Sequence, residues 1–202
     1  MTIDIQKHAE SSLRRRTALP GVFRISLPNY RDGRGSFSPA WVREDFLAAG
    51  LDAELAQINL ATNPTAGTLR GLHFQAAPFA EVKVVQVLSG AIFDVVVDLR
   101  PASPTFQRTI YVRLDAQTRE ALYLPKGVAH GYQTLLPDTT VLYTVSTRYA
   151  PDHQRGVSWR DPALAIPWPL VPSFISGRDL ALPLLRDLSE FPDAEPLQMN
   201  LA

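Results

Sequence analysis

Between residues 83 and 146 the chain is a succession of short runs rich in valine, isoleucine, leucine, tyrosine and threonine, cut apart by turn residues. β-Branched and aromatic side chains suit a pleated, half-buried surface, and runs this short read as strands rather than packed helices. No helix-length pattern alternates with them, which excludes repeated βα units. The 17 prolines fall mostly between the apolar runs, as expected where proline cannot donate within a sheet ladder. The pattern predicts an all-β fold, a two-sheet sandwich or a barrel.

The rest of the chain hangs on that frame. Residues 1–16 read as a tail, residues 22–27 as a first alternating strand, and Asp32-Gly33-Arg34-Gly35 as a turn. Trp41, Phe46 and Leu47 have helical spacing, with a glycine stop at Gly50. Residues 56–60 form a short strand before the loop 63–67, and Ser89-Gly90 reads as a hairpin turn between two strands. Residues 151–172 are rich in proline and carry tryptophan; they are too apolar for a linker and are expected to wrap the strands. A short helix is predicted over 180–188. The domain is thus expected over 17–189, with tails at 1–16 and 190–202.

The chain has 202 residues, 46% of them hydrophobic, enough for one sizeable core. Lys+Arg 20 balances Asp+Glu 20, so no global field draws nucleic acid or a membrane surface, although a local basic pocket for a small phosphate-bearing ligand is allowed. Cysteine is absent, which excludes a disulfide scaffold, a zinc ribbon and thiol catalysis. No apolar run approaches the roughly 20 residues of a membrane span, and the basic Ser11–Arg16 stretch lacks the apolar core of a secretory signal. A cytoplasmic location is expected.

Chemistry concentrates in Thr68-Leu69-Arg70-Gly71-Leu72-His73-Phe74-Gln75. On a flat strand Arg70 and His73 would point to opposite faces. Gly71 permits a bulge that turns both to one side, and a fixed cation beside an imidazole suits an anionic substrate that exchanges a proton. Of four histidines, His8 in the tail and His153 in a polar turn read as solvated bystanders. His73 and His130 each lie in strand context near glycine. Either alone reads as a hydrogen-bonded core residue; together, with Arg70 and Lys83 near in sequence, they suggest a site. A metal is not expected, because Gln75 stands where a His-x-His ligand pair needs its second imidazole.

These residues belong to a longer series: residues 32–37 (Asp-Gly-Arg-Gly-Ser-Phe), 69–75, 93–100 with 103–106, 124–132 (Leu-Pro-Lys-Gly-Val-Ala-His-Gly-Tyr), Val141-Leu142-Tyr143, Tyr149-Ala150-Pro151, Asp161–Leu164 and Ile166–Pro169. In order and spacing the series resembles the dTDP-4-dehydrorhamnose 3,5-epimerase family from about residue 17 to 185. The resemblance implies a cupin jelly-roll β-sandwich or barrel with short flanking helices, and a homodimer whose extra N-terminal strand could add to a partner's sheet. It also implies epimerisation at C3 and C5 of a nucleotide-linked 4-keto-6-deoxyhexose through an enolate, with no metal or redox cofactor. No glycine-rich dinucleotide fingerprint occurs.

The roles implied by that resemblance are residue-specific. His73 would be the general base, Asp179 its orienting carboxylate, Tyr143 the proton donor on the opposite face, and Lys83 the cation beside the C4 oxygen. Arg70 would hold the pyrophosphate, with Arg34 and Arg178 as further phosphate or sugar contacts and Phe37 in the substrate-binding set. His130, Gln57 and Asn59 would line the pocket, and Tyr149 would stack on the nucleobase. Read without the resemblance, Asp179 is a helix N-cap, Tyr143 a core aromatic, Lys83 a solvent-facing strand residue, and Gln57 and Asn59 a polar edge. The chain departs from the family at Ser38, Pro39, Ala61, Glu81 and Gln154, positions expected near the nucleotide or sugar rim. Mono-epimerisation, 3,4-ketoisomerisation, a metal-dependent cupin reaction and plain sugar-nucleotide binding remain open at this point.

Overall fold

The computed structural model describes residues 13–192. Two six-element sheets face one another. The first has the order β1 (Arg14–Arg16), β2 (Phe23–Ser26), β10 (Glu120–Leu124), β7 (Lys83–Ser89), β12 (Thr139–Val145) and β5 (Gln57–Asn63). The second has the order β13 (Gln154–Gly156), β6 (Thr68–Gln75), β11 (Val128–Thr134), β8 (Ala91–Asp98) and β9 (Thr109–Asp115), with β14 (Phe174–Ile175) running parallel beside β6. A separate hairpin joins β3 (Tyr30–Asp32) to β4 (Gly35–Phe37). Among the described residues only α1 (Arg43–Ala48) and α2 (Gly177–Leu180) are α-helical. Neighbours distant in sequence, β7 beside β10 and β12 and β6 beside β11 and β13, make this the expected jelly-roll sandwich.

Three apolar clusters explain why the central strands read as unbroken hydrophobic runs. Val85, Val87, Ile92, Val96, Leu114 and Val141 fill the space between the sheets. Leu72, Phe74, Val95 and Val97 point the other way and are covered by Val157, Leu164 and Leu185, with Trp168 packed alongside. The proline-rich segment therefore wraps the second sheet, as expected. Ile25, Val84, Ala121 and Tyr123 on the outer face of the first sheet are covered by Phe46 of α1 and by Leu51. Sheets buried on both faces lose the alternation of half-solvated strands. Gly50 ends α1 with φ +66°, the left-handed conformation that glycine adopts without steric cost.

Four local expectations change. Arg14–Arg16 is not tail: it pairs with β2 as an edge strand, and Arg15 and Arg24 both meet the Glu120 carboxylate. Leu13 and residues 190–192, also expected as tail, pack on the domain: Leu13 lies against the Phe46 cluster, Glu190 pairs with Arg155 and Phe191 meets Phe106 edge-on. The other expected tail residues, 1–12 and 193–202, lie outside the described residues. Ser89-Gly90 does not close a hairpin, because β7 and β8 belong to different sheets and the turn carries the chain across the sandwich. The helix expected over 180–188 is broken: α2 ends at Leu180, and a single 3-10 turn follows at Leu185–Asp187. Pro183 stands between them and has no N–H to donate. Finally, His153 is not a solvated bystander; its Nδ1 lies 3.1 Å from the Ala77 carbonyl and its ring packs on Phe79. Among the described residues no helix is long and apolar enough to cross a membrane.

Candidate active site

A cavity of about 470 Å³ opens between the two sheets at one end of the sandwich, a size suited to a small organic ligand. One wall is built in cross-strand rows: Gln57, Val145 and Lys83, then Asn59, Tyr143 and Val85, then Ala61 and Val141. The opposite wall comes from β6 and β11 and presents Arg70, His73, Gln75, His130 and Tyr132. His73 and Tyr143 thus reach one hollow from different sheets.

The bulge foreseen at Gly71 creates the second wall. His130 pairs with His73 and Tyr132 with Arg70, so two residues of β6, Gly71 and Leu72, stand opposite one residue of β11. That extra residue resets the alternation: Arg70 and His73 both reach the cavity, while Leu72 and Phe74 enter the outer core. Gly71 has φ +113°, and a Cβ there would lie 2.6 Å from the Gly131 Cα. Both strands therefore need glycine at the crossing.

The bulge also leaves the Gly71 N–H free of the ladder, and it donates to Asp179 Oδ2 at 3.1 Å. The other oxygen, Oδ1, lies 2.7 Å from His73 Nε2. Asp179 is 4% exposed. Burial pushes its carboxyl up, but the hydrogen bond and charge of His73 and the Gly71 N–H outweigh this and hold it below the usual carboxylate range. Asp179 is not the cap of α2. Ser176 is, accepting the Asp179 N–H at 3.1 Å, which frees the carboxylate for the imidazole.

His130 has a matching partner to which the sequence reading gave no role: its Nε2 lies 2.9 Å from Oδ2 of the fully buried Asp94. Burial pushes the Asp94 carboxyl up, opposed by His130 and Lys83. Alternation along β8 is the signal that could have found it, since Asp94 interrupts an apolar run. Arg70 Nε donates to Asn63 Oδ1 at 2.8 Å, fixing the guanidinium toward the cavity; Asn63 too was missed. On the first wall, burial and the Glu81 charge push the Tyr143 phenol up, with Arg70 opposing. Tyr132, deeper in, is pushed up to about 12 chiefly by burial. Gln57 Nε2 donates to Asn59 Oδ1 at 2.5 Å. Lys83 faces the cavity, not solvent, and Glu81 pairs with it at 2.9 Å. At the mouth Arg178 donates to the Tyr149 hydroxyl at 3.1 Å, and Phe174 stands 65% exposed on the rim.

Two expected residues are not brought to this cavity. Arg34 pairs with Asp32 on the β3–β4 hairpin, and Phe37 is 69% exposed there. Among the described residues no three histidine, aspartate or glutamate side chains gather as a metal-holding group.

A family model described as dTDP-4-dehydrorhamnose 3,5-epimerase matches residues 16–187. The dTDP-4-dehydrorhamnose 3,5-epimerase of Mycobacterium tuberculosis is 41% identical over 175 residues, covering 84% of this chain and 86% of its own. The dTDP-4-dehydrorhamnose 3-epimerase of Streptomyces niveus is 39% identical over 162 residues, covering 80% and 78%. The crystal structure of dTDP-4-dehydrorhamnose 3,5-epimerase from Bacillus anthracis, with TDP and PPi bound, matches with a TM-score of 0.82 at 41% identity, covering 84% of this chain and 97% of that one. Jelly roll, cavity and matched length agree: the chain belongs to the dTDP-4-dehydrorhamnose 3,5-epimerase family, isomerases of a dTDP-linked 4-keto-6-deoxyhexose.

Proposed function

We propose that this chain inverts both C3 and C5 of dTDP-4-dehydro-6-deoxyglucose, giving dTDP-4-dehydrorhamnose. The observation that carries the reading is that His73 and Tyr143 line one hollow from opposite sheets. The hydrogens on C3 and C5 are acidified by the C4 carbonyl between them. His73 takes the proton, and the C–H electron pair moves into the carbonyl to leave an enolate oxygen. Lys83 stabilises that oxygen by charge and hydrogen bonding. Tyr143 returns a proton from the other side, so configuration inverts. Imidazolium and phenolate are reset by proton exchange with water. Asp179 holds the imidazole and favours its protonated form.

Substrate contacts follow the same division. Arg70, braced by Asn63, takes the pyrophosphate through its planar fork, with Arg178 beside it. Tyr149 supplies a stacking face for the base, and His130, Gln57 and Asn59 meet the sugar. Arg34 and Phe37 retain a substrate role only if a second copy brings its exposed hairpin to this mouth; the working unit is proposed to be a homodimer, tested by light scattering of purified protein. The reaction needs neither metal nor nicotinamide, and a soluble nucleotide sugar as substrate suits a cytoplasmic enzyme.

Incubation with dTDP-4-keto-6-deoxyglucose in heavy water tests the reading. Deuterium at both C3 and C5 is expected. Label at C3 alone would instead make the chain a 3-epimerase like the Streptomyces niveus relative, and binding without label would make it a sugar-nucleotide binder.

A further inference from the structure

Glu81 is an acid in a place where acid is costly. Its side chain is 10% exposed, and it lines the cavity wall where an enolate is to form. A bare carboxylate there would repel the developing negative charge. Its two oxygens are both engaged. Oε1 meets Lys83 Nζ at 2.9 Å, and Oε2 accepts from Gln75 Nε2 at 3.2 Å. Gln75 is itself fixed: its Oε1 accepts the Ala150 N–H at 2.7 Å, and its Nε2 donates to the Phe79 carbonyl at 2.9 Å. A continuous line of contacts thus runs from backbone through Gln75 and Glu81 to the lysine.

Lysine is a poor electrophile unless held. Its four-carbon stem is flexible, and its ammonium carries three donors with no fixed direction. A carboxylate that takes one donor from a rigid position leaves two for the substrate side. We propose that Glu81 is a positioning residue for epimerisation: it anchors the Lys83 ammonium so that its remaining donors meet the substrate's C4 oxygen. The inference rests on the role proposed for Lys83. It makes a distinctive demand, because the C4 oxygen is shared by the two enolates. Any loss of aim must slow exchange at C3 and C5 alike, whereas a residue acting directly on one carbon would slow only that one.

The test is solvent deuterium exchange into dTDP-4-keto-6-deoxyglucose by wild type, Glu81→Gln, Glu81→Asp and Lys83→Met, with rates normalised to folded protein by thermal melts. Glu81→Gln should lower kcat about 10²-fold, change KM less than about threefold, and slow both carbons by the same factor. Glu81→Asp, which keeps the charge, should recover part of that loss. In a Lys83→Met background, Glu81→Gln should lose most of its effect, because it acts chiefly through the lysine and only secondarily through its charge beside Tyr143. Wild-type rates in Glu81→Gln, loss at one carbon only, or a full additional loss without Lys83 would each overturn the proposal while leaving the epimerase reading intact. If Glu81→Gln does not fold, Glu81→Asp carries the same comparison of the two carbons. Absence of exchange in the wild type would overturn the epimerase reading and the proposal with it.

Discussion

His73 and His130 stand opposite one another in the register of β6 and β11, and each turns its Nε2 to a buried carboxylate, Asp179 for one and Asp94 for the other. The pairs differ in electrostatics. Asp179 is held below the usual carboxylate range, whereas Asp94 is pushed above it. A carboxylate held in its charged form can fix an imidazole by a charge-assisted hydrogen bond, the orienting role proposed for Asp179 beside His73. His73→Ala should abolish deuterium exchange at both carbons, a loss of roughly 10²-fold to 10⁴-fold. Asp179→Asn should cost about 10²-fold with little change in KM. Exchange at the wild-type rate in the His73 variant would remove it as base.

Tyr143 must be protonated to act as an acid. Burial and the Glu81 charge raise its pKa above 10.0, so the phenol keeps its proton through neutral pH, and its loss is displaced to higher pH than for a free tyrosine. Ultraviolet difference titration of wild type against Tyr143→Phe should show one tyrosine ionising above the ordinary value. The same variant should lose inversion while substrate binding persists. A normal or depressed titration would contradict the assigned environment.

Arg70 should act on binding rather than on chemistry. Removing a charge-assisted contact to pyrophosphate costs about 1.5–3 kcal/mol, which predicts a KM rise of roughly 10-fold to 100-fold for Arg70→Ala with kcat nearly unchanged. Arg70→Lys should rescue little, since it loses the Nε donor to Asn63. Steady-state kinetics at fixed ionic strength decide it; a fall in kcat alone would place Arg70 in the chemical step.

Gly71→Ala should harm both fold and activity. The new Cβ would meet Gly131 Cα at 2.6 Å, in a backbone with φ +113°. Strain and overpacking together suggest a loss of roughly 3 kcal/mol in urea unfolding. A stable, fully active Gly71→Ala protein would show that the strands can part without disturbing the site.

Away from the cavity, Asp98 is a stability centre. Its fully buried carboxylate accepts from Arg100, Ser103 and Thr105 at 2.6–2.8 Å. Burial raises its pKa, but these donors outweigh burial and lower it below the ordinary value. Because the folded value is the lower one, the stabilisation is present above the unfolded pKa of about 3.9 and is lost as pH falls through the folded value. Asp98→Ala strands the Arg100 guanidinium and should cost about 3–5 kcal/mol. The variant should also lose the acid-side slope that Asp98 contributes to urea stability in the wild type.

Much of this arrangement is legible in the chain. Short β-rich runs and proline spacing led to the sandwich, and Gly71 between Arg70 and His73 led to the bulge. What escaped depends on contacts between distant residues. Ser89-Gly90 has the chemistry of a hairpin turn, yet nothing local states that the next strand joins another sheet. Asp179 looks like a cap because Ser176 and His73 compete for its description only in three dimensions. Arg34 and Phe37 sit in a motif of the family but on a hairpin away from this cavity, and sequence order carries no measure of that separation.

The proposed acid, Tyr143, and the proposed base, His73, stand on different sheets, so the gap between them is set by the valines and leucines that prop the sheets apart. Interior bulk at Val87, Ile92 or Leu114 thus serves as a spacer for the proposed proton transfer. A methyl group added or removed there would retune the reaction without touching the sugar.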